Sequence, residues 1–244
     1  MPSYAVILAA AGKSQRFNDQ HYKKPFIHLG DRSVWLHAAD RFTNRQDVAQ
    51  TIIVIAEEDQ EFFAMKFGAN LAIMGIEVTH GGAERCDSIE AGLAKVRPDV
   101  EFVAVHDAAR PCLADAWIDQ VFAAAAEHGA ALLATPVVGT LKRSTDGTSV
   151  SETVSRQQLW EAQTPQVFRR ELLVEAYAQR AGYAATDDAE LVERLGHAVT
   201  LVPGSRLNLK ITTREDLKLA AGALAALPKP KLGRPGNPLD DMWR

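Results

Sequence analysis

The chain has 244 residues, 47% of them hydrophobic and 24% charged, with a formal net charge of −4. This is enough chain to bury a substantial core, in the composition of an ordinary soluble globular protein; the acidic balance speaks against general nucleic-acid binding, which needs a basic face. Two cysteines, Cys86 and Cys112, form neither a disulfide framework nor a zinc motif, seven histidines lack metal-ligand spacing, and no apolar run approaches the roughly 18 residues of a membrane span, so a reducing cytoplasm is the expected compartment.

The N-terminal "MPSYAVILAA" lacks a basic leader region and runs straight into a strand pattern, so no signal peptide is read there. "YAVILAA" (4–10) is a continuous apolar run, as in a strand buried on both faces of a parallel sheet. A helix is predicted over 33–42 with Ser33 as its N-cap, then a buried strand over 50–56 and a helix beginning at "EEDQEFFAMKFG". A short strand (75–82) ends in a glycine pair, a helix spans 84–96, and "EFVAVHDAARP" (101–111) is a strand running into a loop. A helix over 114–129 has Gly129 as its C-cap, and 130–138 is a further buried strand. Alternating strands and helices imply an α/β fold: a Rossmann-like, mostly parallel sheet with helices on both faces. The pattern breaks at 139–156, a polar segment with Asp146-Gly147 as a hairpin turn signal and no core of its own. The stretch 152–168 shows no clean periodicity. Helices resume at 170–181 and 187–195, the second opening on a Thr-Asp cap signature at Thr186; "AVTLVPG" and "RLNLKIT" read as closing strands, and 213–227 as a final helix. Residues 1–228 make a single domain, followed by a Pro-rich tail (229–244).

Several stretches carry chemistry. Gly12-Lys13-Ser14 looks like the end of a P-loop, but the glycine required five residues earlier is Ile7, and the dinucleotide fingerprint also fails. What remains is a strand ending in Ala9-Ala10-Ala11-Gly12, then a loop with Lys13, Arg16, Lys23 and Lys24. Small residues at a strand's carboxyl end admit a ring and phosphates close to the backbone; the alternative is a solvated basic loop. In "VHDAARP", Asp107 ends a buried strand near cations, a natural Mg²⁺ ligand beside substrate phosphates, and Arg110 is placed to clamp an oxyanion. The alternatives are a helix cap and a surface ion pair. Lys210 sits inside the apolar "NLKIT", where an outward-facing lysine on an edge strand is the plain reading.

Taken in order, "AAAGKSQRF…KKPF", "GGAERCDSI", "VHDAARP", "ETVSR..LW.AQTPQVF", "TDD" and "NLKIT" resemble the 2-C-methyl-D-erythritol 4-phosphate cytidylyltransferases over about residues 3–226. The resemblance implies transfer of CMP from CTP to methylerythritol phosphate with release of pyrophosphate, Mg²⁺ bridging the nucleotide phosphates, in the isoprenoid route that does not use mevalonate. It implies that Arg16 and Lys24 stabilise the transition state, and that Arg156 and Lys210 position the acceptor phosphate. It places Ala10, Ala11 and Gly12 against the nucleotide and Gly82 and Ser88 at the base. Asp107 falls near the metal and substrate with Arg110 beside it, and Thr140, Thr164 and Thr186 line the acceptor site. The segment 139–156 resembles the family's β-arm, which hooks onto a second subunit in a two-fold dimer. The family's Pro-Lys-Gln is replaced by Lys23-Lys24-Pro25, which leaves Lys23 as the alternative to Lys24. Two further readings stand beside this one: a cytidylyltransferase for ribitol 5-phosphate or another polyol phosphate, and a non-catalytic nucleotide-binding relative.

Overall fold

The computed structural model describes residues 2–12 and 24–228, Lys24 by its backbone alone. Lys13, Arg16, Lys23, the side chain of Lys24 and the tail 229–244 lie outside the described residues. In chain order the strands are β1 (Tyr4–Ala9), β2 (His28–Leu29), β3 (Arg32–Ser33), β4 (Val48–Ile55), β5 (Ile76–His80), β6 (Phe102–Asp107), β7 (Ala130–Pro136), β8 (Leu141–Arg143), β9 (Glu152–Val154), β10 (Trp160–Arg169) and β11 (Thr200–Pro203). The helices are α1 (Val34–Thr43), α2 (Gln60–Met74), α3 (Arg85–Leu93), α4 (Asp115–His128), α5 (Arg170–Ala178), α6 (Asp188–Arg194) and α7 (Arg214–Ala226).

Seven strands form one sheet in the order β11-β7-β10-β6-β1-β4-β5. Neighbours run parallel except at β10, which is antiparallel to both β6 and β7. Period-two alternation divides each central strand between two cores. Along β1, Tyr4, Val6 and Leu8 pack with residues of α1, α2 and α4, while Ala5 and Ile7 pack with residues of α3, α5 and α6. A third cluster joins Ala220 and Ala223 of α7 to Leu29, Val34, Cys112 and Ile211. The continuous apolar run of β1 is the expected sign of a strand covered on both faces.

After the undescribed segment the chain re-enters at a 3-10 turn, Lys24–Phe26. Phe26 is buried, with its ring centroid 5.2 Å from Phe63 and 6.1 Å from Phe67 of α2. Trp35 of α1 joins the same cluster, 5.1 Å from Phe63. Burying a phenylalanine side chain contributes roughly 1.5–3 kcal/mol, so the return of this loop is anchored in the core.

Four expectations are corrected. The stretch 152–168 contains a full central strand, β10, hidden because its register shifts between Ala162 and Gln166 and because residues 163–168 are buried in an unbroken run. "RLNLKIT" is not a strand: Leu207, Leu209 and Ile211 alternate because they pack against α7, while the backbone makes single bonds, among them Ile211 N–H to Ala109 O at 2.9 Å. Lys210 is therefore not on an edge strand. The turn between β8 and β9 is not a two-residue hairpin; residues 144–151 intervene, with Asp146 Oδ1 accepting from the Thr148 and Ser149 N–H groups. Ser33 does precede α1, but its hydroxyl donates to Phe26 O at 3.2 Å instead of capping the helix.

Candidate active site

From β1 the chain winds outward through β4 and β5, then returns to β6 on the other side of β1. The crevice beyond the carboxyl ends of β1 and β6 is thus the point where strand order reverses, the usual ligand position in an open α/β sheet. Ala9 and Asp107 are register partners across it. Ala10 N–H donates to Val54 O at 2.8 Å and Ala108 N–H to Ala9 O at 3.1 Å, so both strand ends are held up to the point where the loops leave. Ala10, Ala11 and Gly12 follow on one side, Asp107 and Arg110 on the other.

The end of β5 meets the end of β1. Gly81 N–H donates to Ile55 O at 2.8 Å. A Cβ at Gly81 would lie 2.7 Å from Ala11 Cβ and 2.9 Å from Ser88 Cβ, and one at Gly82 would lie 2.5 Å from Asp87 Cβ. Only glycine lets these backbones approach so closely. Ser88 is buried, and its hydroxyl donates to Glu84 O at 3.1 Å. Ala11, the glycine pair and Ser88 therefore form one close-packed wall of small residues.

Asp107 is the electrostatic centre. Lys210 Nζ lies 2.9 Å from its Oδ2 and Arg110 Nε 3.2 Å from the same atom. Burial alone would raise the carboxyl pKa; the charges of Lys210, Arg110 and Arg85 outweigh it and hold the group far below the usual carboxylate range. Asp107 is thus an anion at any working pH, and it is not a helix cap, since α4 begins only at Asp115. Arg110 NH1 also donates to Asn208 O at 2.8 Å, so it is a semi-buried tie and not a surface ion pair. The Lys210 side chain is 42% exposed, against 9% for Asp107, which leaves the ammonium able to turn toward a solvent-borne anion.

A second tier of residues fixes Asp107. Asp107 N–H donates to Thr164 Oγ1 at 3.0 Å, Thr164 Oγ1 lies 3.0 Å from His106 Nδ1, and His106 Nε2 lies 3.1 Å from Arg110 O. A carbonyl only accepts, so Nε2 carries the ring proton. Burial pushes the His106 pKa down to about 4, which leaves the ring neutral. Nδ1 then accepts from the Thr164 hydroxyl, whose oxygen accepts from Asp107. The Thr164 hydroxyl thereby holds the Asp107 backbone. Fully buried Asn208 donates through Nδ2 to Thr164 O at 2.9 Å and to Gln163 Oε1 at 3.3 Å, which pins the segment carrying Lys210 onto β10.

The remaining candidates lie apart. Thr186 is exposed, its N–H donating to Glu190 Oε2 at 2.7 Å, and Asp187 caps α6 by accepting from Glu190 N–H at 3.0 Å. Thr140 is exposed at the base of the β8–β9 arm. Arg156, also exposed, donates to Val138 O. Among the described residues no hydrogen bond or ion pair joins Arg156 to Asp107. His106, Gly81, Gln163 and Asn208 were not singled out from the sequence. Their signal was a polar residue or a second glycine inside an already marked motif.

Among the described residues no group of three or more His, Cys, Asp or Glu side chains could hold a metal, and no helix is long and apolar enough to cross a membrane. One ionised carboxylate among cations nevertheless fits Mg²⁺, which takes one or two protein carboxylates and completes its shell from substrate phosphates and water.

The model of the family described as IspD, 2-C-methyl-D-erythritol 4-phosphate cytidylyltransferase, matches residues 4–226. A relative of that name from Rhodopirellula baltica is 46% identical over 234 residues, covering 91% of this chain and 95% of the relative. Another from Clostridioides difficile is 38% identical over 219 residues, covering 89% and 92%. The crystal structure of 2-C-methyl-D-erythritol 4-phosphate cytidylyltransferase from Thermus thermophilus superposes with a TM-score of 0.72 at 33% identity, covering 93% of this chain and all of that one (100%).

Proposed function

The chain belongs to the 2-C-methyl-D-erythritol 4-phosphate cytidylyltransferase family, and we propose that it transfers CMP from CTP to 2-C-methyl-D-erythritol 4-phosphate, releasing pyrophosphate, in isoprenoid precursor synthesis. The observation that carries this reading is the Asp107 cluster at the switch point, with Lys210 and Arg110 on its carboxylate and the close-packed Ala11–Gly81–Ser88 wall beside it. We assign the cytosine ring to that wall and the phosphates to the strand ends.

Transfer brings two polyanions together, so the protein's task is to place them and stabilise charge on the α-phosphorus. The acceptor phosphate attacks that phosphorus in line: a P–O bond forms, the bond to the bridging oxygen breaks, and pyrophosphate leaves with its electron pair. We assign Arg16 and Lys24 to the developing charge, and Lys210, with Arg156 of the arm, to the incoming phosphate. Asp107 would hold Mg²⁺ together with the nucleotide phosphates, and the ion would supply neutralising charge to the triphosphate. Thr164 and His106 hold the Asp107 backbone still, and Arg110 ties that loop to Asn208.

We further assign a two-fold dimer through the β8–β9 arm. Val138, Val150, Leu159 and Trp160 are exposed on and around it, and an arm with apolar residues outside its own core suits burial on a second copy. The cytoplasm is the compartment this chemistry and the two reduced, buried cysteines suit.

Pyrophosphate release from CTP and Mg²⁺, measured with methylerythritol phosphate, with ribitol 5-phosphate and with no acceptor, tests the assignment. Release with the first alone is expected. Equal or faster release with ribitol 5-phosphate would move the acceptor to the other polyol, and no release with either would leave a nucleotide-binding relative.

A further inference from the structure

Helix α3 follows Gly81-Gly82 and carries Ser88, so it holds the base side of the site. Its first three residues each touch the connection between α5 and α6 or the helix beyond it. Arg85 NH2 lies 2.6 Å from Asp188 Oδ2, Cys86 Sγ lies 3.4 Å from Ala185 O, and Arg180 NH2 donates to Asp87 Oδ1 at 2.8 Å. These contacts are unequal. A thiol is a weak donor, and the Asp87 carboxylate is 36% exposed, where solvent screens the pair. Asp188 is fully buried, and its other oxygen accepts from the Tyr177 hydroxyl at 2.6 Å.

Asp188 opens α6 two residues after Thr186. Its N–H and that of Ala189 donate to Gln166 Oε1 of β10, at 3.1 and 3.0 Å. The Arg85–Asp188 pair therefore spans from the base side to the helix that Gln166 holds on β10, the strand whose Thr164 fixes Asp107 beside Lys210. Arg85 also acts electrostatically on Asp107, and its NH1 is buried with no hydrogen-bond partner among the described residues. The transfer chemistry assigns nothing to either residue. As glue the pair is a poor choice, since apolar residues of similar volume commonly hold such a site equally well. What the charged pair adds is direction: Arg85 NH2 holds one Asp188 oxygen and the Tyr177 hydroxyl the other, so the charge-assisted bond sets where α3 sits against α6.

We propose that Arg85 is a positioning residue that aligns the nucleotide half of the site with the acceptor half through buried Asp188. The inference rests on the cytidylyltransferase reading above. If the two halves are misaligned, each substrate still binds its own half, but the reacting atoms no longer meet, and a misplacement of about 1 Å is worth on the order of 10²-fold in rate. The signature is a fall in kcat at nearly constant KM.

The test compares wild type with Arg85→Lys, Asp188→Asn and the apolar double variant Arg85→Met/Asp188→Leu, with kcat, KM for CTP, KM for methylerythritol phosphate and Tm measured for each. Arg85→Lys should lose about 10- to 100-fold in kcat, with both KM values within about threefold of wild type. The double variant leaves no charge buried alone and should fold, with kcat equally reduced. Wild-type kcat in the double variant, or losses in Tm alone, would make the pair structural and overturn the proposal. A raised KM for CTP at unchanged kcat would make Arg85 a nucleotide ligand and overturn it too, as would failure of all three variants to fold. An inactive wild type would instead refute the functional reading itself.

Discussion

Thr164→Val tests whether Asp107 is held from behind. The substitution keeps the side-chain shape and removes one hydroxyl, which bonds Asp107 N–H and His106 Nδ1 at 3.0 Å each. Both partners are buried, His106 completely. A buried polar group left unsatisfied costs about 1–3 kcal/mol, so two should cost about 2–6 kcal/mol. For a chain of this size that corresponds to a Tm lowered by roughly 5–20 °C. Thr164→Ser retains both bonds and loses one methyl group, worth about 1 kcal/mol. Urea unfolding of the three proteins at neutral pH measures the difference, and initial rates under saturating CTP report whether Asp107 has moved. The Val variant should be the less stable and the slower of the two. Stability within about 0.5 kcal/mol of wild type, or a Ser variant as damaged as the Val variant, would refute the network as drawn.

His106 predicts a pH dependence. Its folded pKa of about 4 lies below its ordinary value of 6.5, so the unfolded chain takes up the proton first. The stabilisation is complete above about pH 6.5 and is lost as pH falls toward 4, by about 2 kcal/mol at pH 5. His106→Gln should remove that difference between unfolding at pH 7 and at pH 5; an unchanged slope would mean that another group causes it. Lys210→Met should lower kcat on the order of 10²-fold while Tm moves by only a few degrees, because Arg110 still pairs with Asp107; full activity would remove Lys210 from the machinery. If the arm completes a neighbour's site, Arg16→Ala and Thr140→Trp chains, each inactive, should regain activity when mixed. Subunit exchange shown by pull-down without recovery would mean that the arm serves its own chain.

The sheet was legible because its parallel strands are buried on both faces. "YAVILAA" and "EFVAVHD" are continuous apolar runs, and their ends carry the site. β10 was not legible, because the shift around residues 163–165 destroys its alternation and because Gln163, Thr164 and Gln166 are polar yet buried. The segment around Lys210 misled in the opposite direction: alternation reports burial, and burial against α7 does not require a strand partner. Asp107, Arg110 and Lys210 were each named from separate motifs, but nothing in sequence spacing states that they share one carboxylate oxygen. His106 and Asn208 act through hydrogen bonds to residues 58 and 44 positions away, a distance that local pattern cannot span.

The central claim is bond formation between the acceptor phosphate and the α-phosphorus of CTP. Phosphorus NMR of the protein with CTP, Mg²⁺ and 2-C-methyl-D-erythritol 4-phosphate observes it directly. The account predicts loss of the acceptor's phosphomonoester signal, a pair of mutually coupled signals from an unsymmetrical diphosphate, and pyrophosphate in equal amount. Pyrophosphate and CMP accumulating beside unchanged acceptor, or CTP left intact, would contradict it.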